Sequence, residues 1–109
     1  MGGGPGETWR LNDIWFEGDT TTVEPRGQRA LDALAATLVS NRGILQVEVE
    51  VYVADGPDPQ GLADRRAHAV VDELIARKVE PARLQASGRT ERPANPNRPV
   101  VVLILKRAP

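Results

Sequence analysis

Leu45 to Leu74 reads LQVEVEVYVADGPDPQGLADRRAHAVVDEL, and within it the hydrophobic period changes from two residues to helical spacing across one short loop. Leu45, Val47, Val49, Val51 and Val53 alternate with Gln46, Glu48, Glu50 and Tyr52, which predicts a strand with one buried face. Gly56, Pro57 and Pro59 break the pattern in the loop Asp55 to Gly61, and a helix is predicted from about Leu62 to Lys78. Its core face is Ala67, Val70, Val71, Leu74 and Ile75, with Arg65, His68, Asp72 and Arg77 largely toward solvent. Strand into helix in this manner puts the Asp55 carboxylate at a strand end and an arginine in the next helix's first turns. Opposite charges so placed suit recognition of a small zwitterion.

On the N-terminal side, Trp9 to Phe16 carries Trp9, Leu11, Ile14, Trp15 and Phe16 and is predicted as a strand ended by Gly18. These aromatic residues are expected to pack in the core rather than form a binding patch. Pro25 then opens a helix at a first-turn position. Its single apolar face runs through Leu31, Leu34, Ala35, Leu38 and Val39 before Asn41-Arg42-Gly43 stops it. On the C-terminal side, Val79-Glu80-Pro81 forces a turn. A short strand follows at Leu84 to Ser87, a proline-bearing loop at Arg89 to Pro99, and the apolar run Val100 to Leu105, which reads as a central strand covered on both faces. The order β-α-β-α-β-β predicts a two-layer α/β sandwich, a mixed sheet with both main helices on one face. Leu31, Leu34, Leu38, Val47, Val49, Val51, Val70, Val71, Leu74 and Val102 are its predicted core.

Composition sets the bounds on function. The 109 residues make one domain, able to bury about 65% of the surface that its unfolded chain exposes. Met1 to residue 8 reads as a glycine-rich linker and residues 9–109 as the domain. Fourteen basic against fifteen acidic residues leave a net charge of -1, so no field draws the chain to nucleic acid or an anionic membrane. The absence of cysteine removes disulfides, thiolate metal sites and cysteine nucleophiles. No run is long and apolar enough for a membrane helix, and the start lacks the regions of a signal peptide. Catalysis finds no constellation: Ser40 and Ser87 lack a histidine at a motif spacing, and no glycine-rich phosphate loop occurs. His68, the single histidine, reads as a surface residue. Glu48, Glu50 and Tyr52 read as a solvated or helix-covered strand face. No enzyme activity, metal or cofactor is expected.

With its elements in this order, the chain from about Ile14 to Leu105 resembles the OmpA-like domain. This is the periplasmic peptidoglycan-binding module of outer-membrane protein A, the peptidoglycan-associated lipoprotein and flagellar stator proteins. Ile14-Trp15-Phe16-Glu17-Gly18-Asp19 matches the family's first strand ending in phenylalanine, with its acidic, polar loop, and Pro25 matches the proline at the entry of its first helix. Leu62, Arg66, Ala67 and Val70 match the second-helix motif leucine-serine-x-x-arginine-alanine-x-x-valine, with Ala63 in the serine position. Gly88, Glu91 and Pro93 approximate a later motif, and Asn97-Arg98-Pro99-Val100 the start of the last strand. Three departures mark a divergent member. Tyr52-Val53-Ala54-Asp55 keeps only the aspartate of the family's glycine-histidine-threonine-aspartate, the following loop is shorter and lacks an asparagine, and Pro99 replaces an arginine.

The resemblance implies a noncatalytic module of a larger envelope protein, acting in the periplasm and anchoring it to the cell wall. Its implied ligand is the diaminopimelate of the peptidoglycan stem peptide, with the ammonium on Asp55 and the carboxylate on the guanidinium of Arg66. Gly56, Leu62 and the loop residue Arg98 complete the implied site, with other envelope proteins as further partners. The same residues leave an alternative open, in which Asp55 closes a turn, Arg66 pairs locally, and the domain is a degenerate structural or protein-interaction module. Lys78 stands where the family often has glycine after its second helix, so a left-handed backbone is expected there.

Overall fold

The computed structural model describes residues 8–11, 14–92 and 99–108, with side chains from Ile14 onward. Four strands, β1 (Thr8–Leu11), β2 (Ile44–Tyr52), β3 (Leu84–Arg89) and β4 (Val100–Arg107), form one sheet in the order β1-β4-β2-β3. Pairing is antiparallel for β1 with β4 and for β2 with β4, and parallel for β2 with β3. Two helices, α1 (Gly27–Ser40) and α2 (Pro59–Ala76), supply the second layer of an α/β sandwich. The chain is thus the mixed-sheet fold that its hydrophobic periods imply.

Each helix lays one stripe on the sheet. For α1 it is Leu31, Leu34, Ala35 and Leu38, spaced i, i+3, i+4 and i+7, and for α2 it is Ala63, Ala67, Val70 and Leu74. Opposite them lie Val47, Val49 and Val51 of β2 and Val100, Val102 and Ile104 of β4, each at most 1% exposed. The alanines on α2 let its backbone come close to β3. A Cβ on Gly88 would sit 2.6 Å from the Ala63 carbonyl carbon, nearer than packed carbons tolerate.

Several local expectations shift. The first strand stops at Leu11, and Phe16 forms instead an isolated bridge with Val23 that closes the intervening loop. Thr8, assigned to the linker from sequence, already belongs to β1. Leu45 is 39% exposed, because a register shift between Ile44 and Val47 breaks the alternation and turns Ile44 inward. Val39 ends up exposed at the last turn of α1, and Val71 and Ile75 are only partly buried. Arg77 is not a solvent-side residue: its Nε donates to Asp32 at 2.7 Å and its Nη1 to Glu73 at 2.7 Å, leaving the side chain 19% exposed. Both helices start differently, α1 two residues after Pro25 and α2 at Pro59. β4 is central, between β1 and β2, but the helices cover one face, and Leu103 on the other is only partly buried.

Candidate functional site

The end of β2 is fixed from both sides. Tyr52 N–H donates to Pro99 O and Val53 N–H to Arg89 O, each at 2.9 Å. Beyond it Gly56 turns the chain at φ +113°, a conformation open to glycine and costly for other residues. Asp58 then caps α2, accepting from Gly61 N–H at 3.1 Å, with Pro59 at the first helical position. A second anchor holds the same helical turns to the outer edge of β3. Gly88 N–H donates to Asp64 Oδ1 at 3.2 Å, and Gln60 Nε2 donates to Gly88 O at 3.1 Å and to Asp64 Oδ1 at 2.9 Å. The strand end, the turn and the helix start are therefore rigidly related.

The loop before α1 forms the facing wall. Glu17 N–H donates to Thr22 O at 2.8 Å and Thr20 N–H to Glu17 O at 3.0 Å, so the segment folds on itself above the Phe16–Val23 bridge. Between this loop and the start of α2 lies a cavity of about 130 Å³, lined by Asp19, Asp55, Gly56, Pro57, Asp58, Leu62 and Arg65. At about 30 Å³ per water, it takes the charged head of an amino acid. Neither the Asp55 carboxylate nor the Arg65 guanidinium makes a hydrogen bond or ion pair with any described residue. Two uncommitted groups of opposite sign thus share one small cleft.

Of the residues expected from sequence, the structure brings Asp55, Gly56 and Leu62 together. Arg66 is elsewhere. Its Nε donates to Thr20 O and its Nη2 to Gly18 O, both at 2.8 Å, while the guanidinium carbon stands 4.7 Å from the centroid of the Phe16 ring. Burial draws its pKa below the usual arginine value, and the neighbouring Asp19 carboxylate opposes the shift. Arg98 lies outside the described residues, as does Pro93.

Asp19, Asp58 and Arg65 were not singled out from sequence. Asp58 was legible, since an aspartate immediately before a proline is a helix-start signal. Arg65 and Arg66 are adjacent, about 100° apart around the helix, and the loop that claims Arg66 is remote in sequence. Arg65 also borders a shallow groove along α2, about 500 Å³, with Thr21, Asp64, His68, Ala69 and Asp72. His68 is exposed there, its Nδ1 2.9 Å from Asp64 O. Among the described residues no group of three His, Cys, Asp or Glu side chains could hold a metal ion, and no helix is long and apolar enough to cross a membrane.

Comparison with known proteins gives the family and the fold. The family profile described as the OmpA family matches residues 15–101. Outer membrane protein A of Atlantibacter hermannii is 32% identical over 85 residues, and that of Escherichia coli O157:H7 30% over 84, each alignment covering 73% of this chain. The chain corresponds to 35% and 24% of the lengths of those relatives. Among solved structures, the periplasmic domain of Helicobacter pylori MotB superposes with a TM-score of 0.77 at 18% identity, over 95% of this chain and 81% of that one. The peptidoglycan-associated lipoprotein from Burkholderia pseudomallei gives 0.68 at 19%, over 84% and 86%. The fold is common to these domains, and with most of its length matching the family profile, the chain belongs to the OmpA family.

Proposed function

We propose that the domain is a noncatalytic peptidoglycan-binding module that anchors a larger bacterial envelope protein to the cell wall, acting in the periplasm. The observation that carries this reading is Asp55, an unengaged carboxylate at a strand end, facing a small cleft at the start of α2 in a chain of this family. Outer membrane protein A and the peptidoglycan-associated lipoprotein, by their names, are proteins of that setting. The ligand is the diaminopimelate side chain of the stem peptide, whose distal end carries one ammonium and one carboxylate. The ammonium meets Asp55, and the carboxylate faces the guanidinium side of α2 with its N-terminal N–H groups behind. Leu62 and Gly56 supply the apolar floor and the close backbone approach.

Co-sedimentation with purified peptidoglycan sacculi tests this. The parent protein is expected to pellet with sacculi, and Asp55→Ala to need at least about tenfold more sacculi, the worth of one charge-assisted hydrogen bond. If neither pellets, the domain is instead a structural or protein-interaction module that has kept the fold and lost the ligand.

A further inference from the structure

We infer that the end of the domain remote from the cleft docks on an anionic phospholipid surface, through Arg42, Lys78 and Lys106 with Leu45 and Val39 beside them. Nothing in this docking requires peptidoglycan, so it is separable from the function proposed above.

Three chain segments meet at that end. Residues 41–45 join α1 to β2, residues 78–83 lead from α2 toward β3, and residues 106–108 finish β4 and leave it. Arg83 Nη2 donates to Asn41 O at 3.1 Å and to Ile44 O at 2.8 Å, and Ala108 N–H donates to Gly43 O at 2.7 Å, so the three are held as one surface. The net charge of -1 hides how unevenly charge falls along the molecule. These segments carry Arg42, Lys78, Arg83, Lys106 and Arg107 against Glu80 alone, while the rest of the chain has nine basic residues against fourteen acidic. Helix α2, 18 residues and so about 27 Å long, separates this basic end from the cleft that Asp19, Asp55 and Asp58 line at its start. Fields of opposite sign at the two ends orient the molecule before an anionic surface that its net charge alone would not attract.

Apolar side chains decide the kind of anion. Val39 and Leu45, 40% and 39% exposed, are the large hydrophobic residues left exposed among the described ones, and both are at this end. Leu45 shares a groove with Arg42, Glu80 and Arg83, and Val39 shares one with Lys78. Arg42, Lys78 and Lys106 are themselves exposed, and their side chains make no hydrogen bond or ion pair with a described residue. Cations beside aliphatic groups suit a bilayer interface, where the charge meets the phosphodiester and the aliphatic group enters the acyl boundary. A soluble polyanion uses the charges alone. With lipid at this end, the cleft at the start of α2 faces away from the bilayer.

Sedimentation with sucrose-loaded vesicles tests the docking at low ionic strength, where screening is weakest. The parent is expected to pellet with vesicles of phosphatidylglycerol and phosphatidylcholine in equal parts, and to stay in solution with phosphatidylcholine alone. Each Lys or Arg near such a surface is worth about fivefold in partitioning, so Arg42→Gln with Lys106→Gln should weaken binding by about twentyfold. Arg29→Gln with Arg92→Gln, at two exposed arginines outside these segments, gives the same net charge and should change binding by less than about twofold. Leu45→Ser should weaken vesicle binding several-fold without changing binding to dextran sulfate, a polyanion with no acyl boundary. Equal losses in the two double variants overturn the inference, because net charge rather than the basic end would then govern binding. Vesicle binding that Leu45→Ser leaves unchanged also overturns it, and makes the partner a soluble polyanion or an acidic protein. So does a parent that ignores anionic vesicles. Peptidoglycan is absent throughout, so the cell-wall reading stands or falls on the sacculi alone.

Discussion

Lys78 adopts φ 78°, a left-handed backbone that costs a side-chain-bearing residue roughly 1 kcal/mol. The cost is built into the end of α2. Val79 N–H donates to Leu74 O at 3.1 Å and Lys78 N–H to Ile75 O at 3.0 Å, the two bonds of a Schellman ending, and they require that conformation at Lys78. Val79, 2% exposed, is the apolar residue that such an ending tucks under the helix. Lys78 itself is exposed and makes no ion pair with a described residue, so its side chain returns little of the cost. Lys78→Gly is expected to stabilise by about 0.5–1 kcal/mol, the relief of strain less the greater freedom of glycine in the unfolded chain. A thermal melt should move up by a few degrees, and an unchanged or lower midpoint would mean that the lysine stem packs against α2. This position could be read from sequence because helix endings are local. The engagement of Arg66 could not, because the carbonyls it donates to lie in a loop more than forty residues earlier.

At the scale of elements, the end of α1 is held by a residue from another part of the chain. Arg83, in the single turn Pro81–Arg83 before β3, donates through Nη2 to Leu38 O at 2.8 Å, Asn41 O at 3.1 Å and Ile44 O at 2.8 Å, and through Nε to Ile44 O at 3.1 Å. Leu38 O is one of the carbonyls that a helix end leaves without a helical partner, and Asn41 O, which also accepts from Ile44 N–H at 3.0 Å, closes the turn after it. With the side chain 12% exposed, removing it strands acceptors that water reaches poorly. Arg83→Ala is expected to cost about 1.5–3 kcal/mol in urea unfolding, and Arg83→Lys to recover less than half, since an ammonium lacks the fork that spans α1 and β2. A loss below about 0.5 kcal/mol would show that solvent replaces these bonds. The same region shows where periodicity misleads. Strict alternation places Leu45 inside, yet the irregular pairing of Ile44 and Gln46 with β4 resets the register and exposes it. Helix faces and central strands were legible because burial imposes their period. The first strand's end, the bulge and the Arg77 network arise from tertiary pairing, which leaves no period to read.

Across the whole molecule, the helices bury one face of the sheet, and the other carries a polar cluster that ties stability to pH. Glu50, 8% exposed, accepts from Tyr52 Oη at 3.1 Å and from Arg89 Nη2 at 2.9 Å, while Glu48 stands 3.4 Å from the same Nη2. Burial, then the neighbouring Glu50, pushes the Glu48 carboxyl above the ordinary glutamate value of 4.5. Burial pushes Glu50 upward too, but hydrogen bonds from Glu48, Tyr52 and Arg89 outweigh it and hold Glu50 below 4.5. The signs are opposite. As pH falls from neutrality toward 4.5, the folded state takes up the Glu48 proton before the unfolded chain does, so this group's contribution to stability rises. Below 4.5 the unfolded chain protonates Glu50's counterpart first, and the stability that Arg89 and Tyr52 confer is lost as pH falls through the folded value. Together the pair is expected to give a stability maximum in mild acid rather than at neutrality. Glu48→Gln separates the two effects, because glutamine keeps a donor for Glu50 but does not titrate. Urea midpoints between pH 3 and 8 should then start higher at neutrality, lose the rise toward 4.5 and keep the fall below it. A variant profile that overlays the parent's would mean that the two glutamates do not share a proton and that the open face of the sheet titrates as independent surface groups.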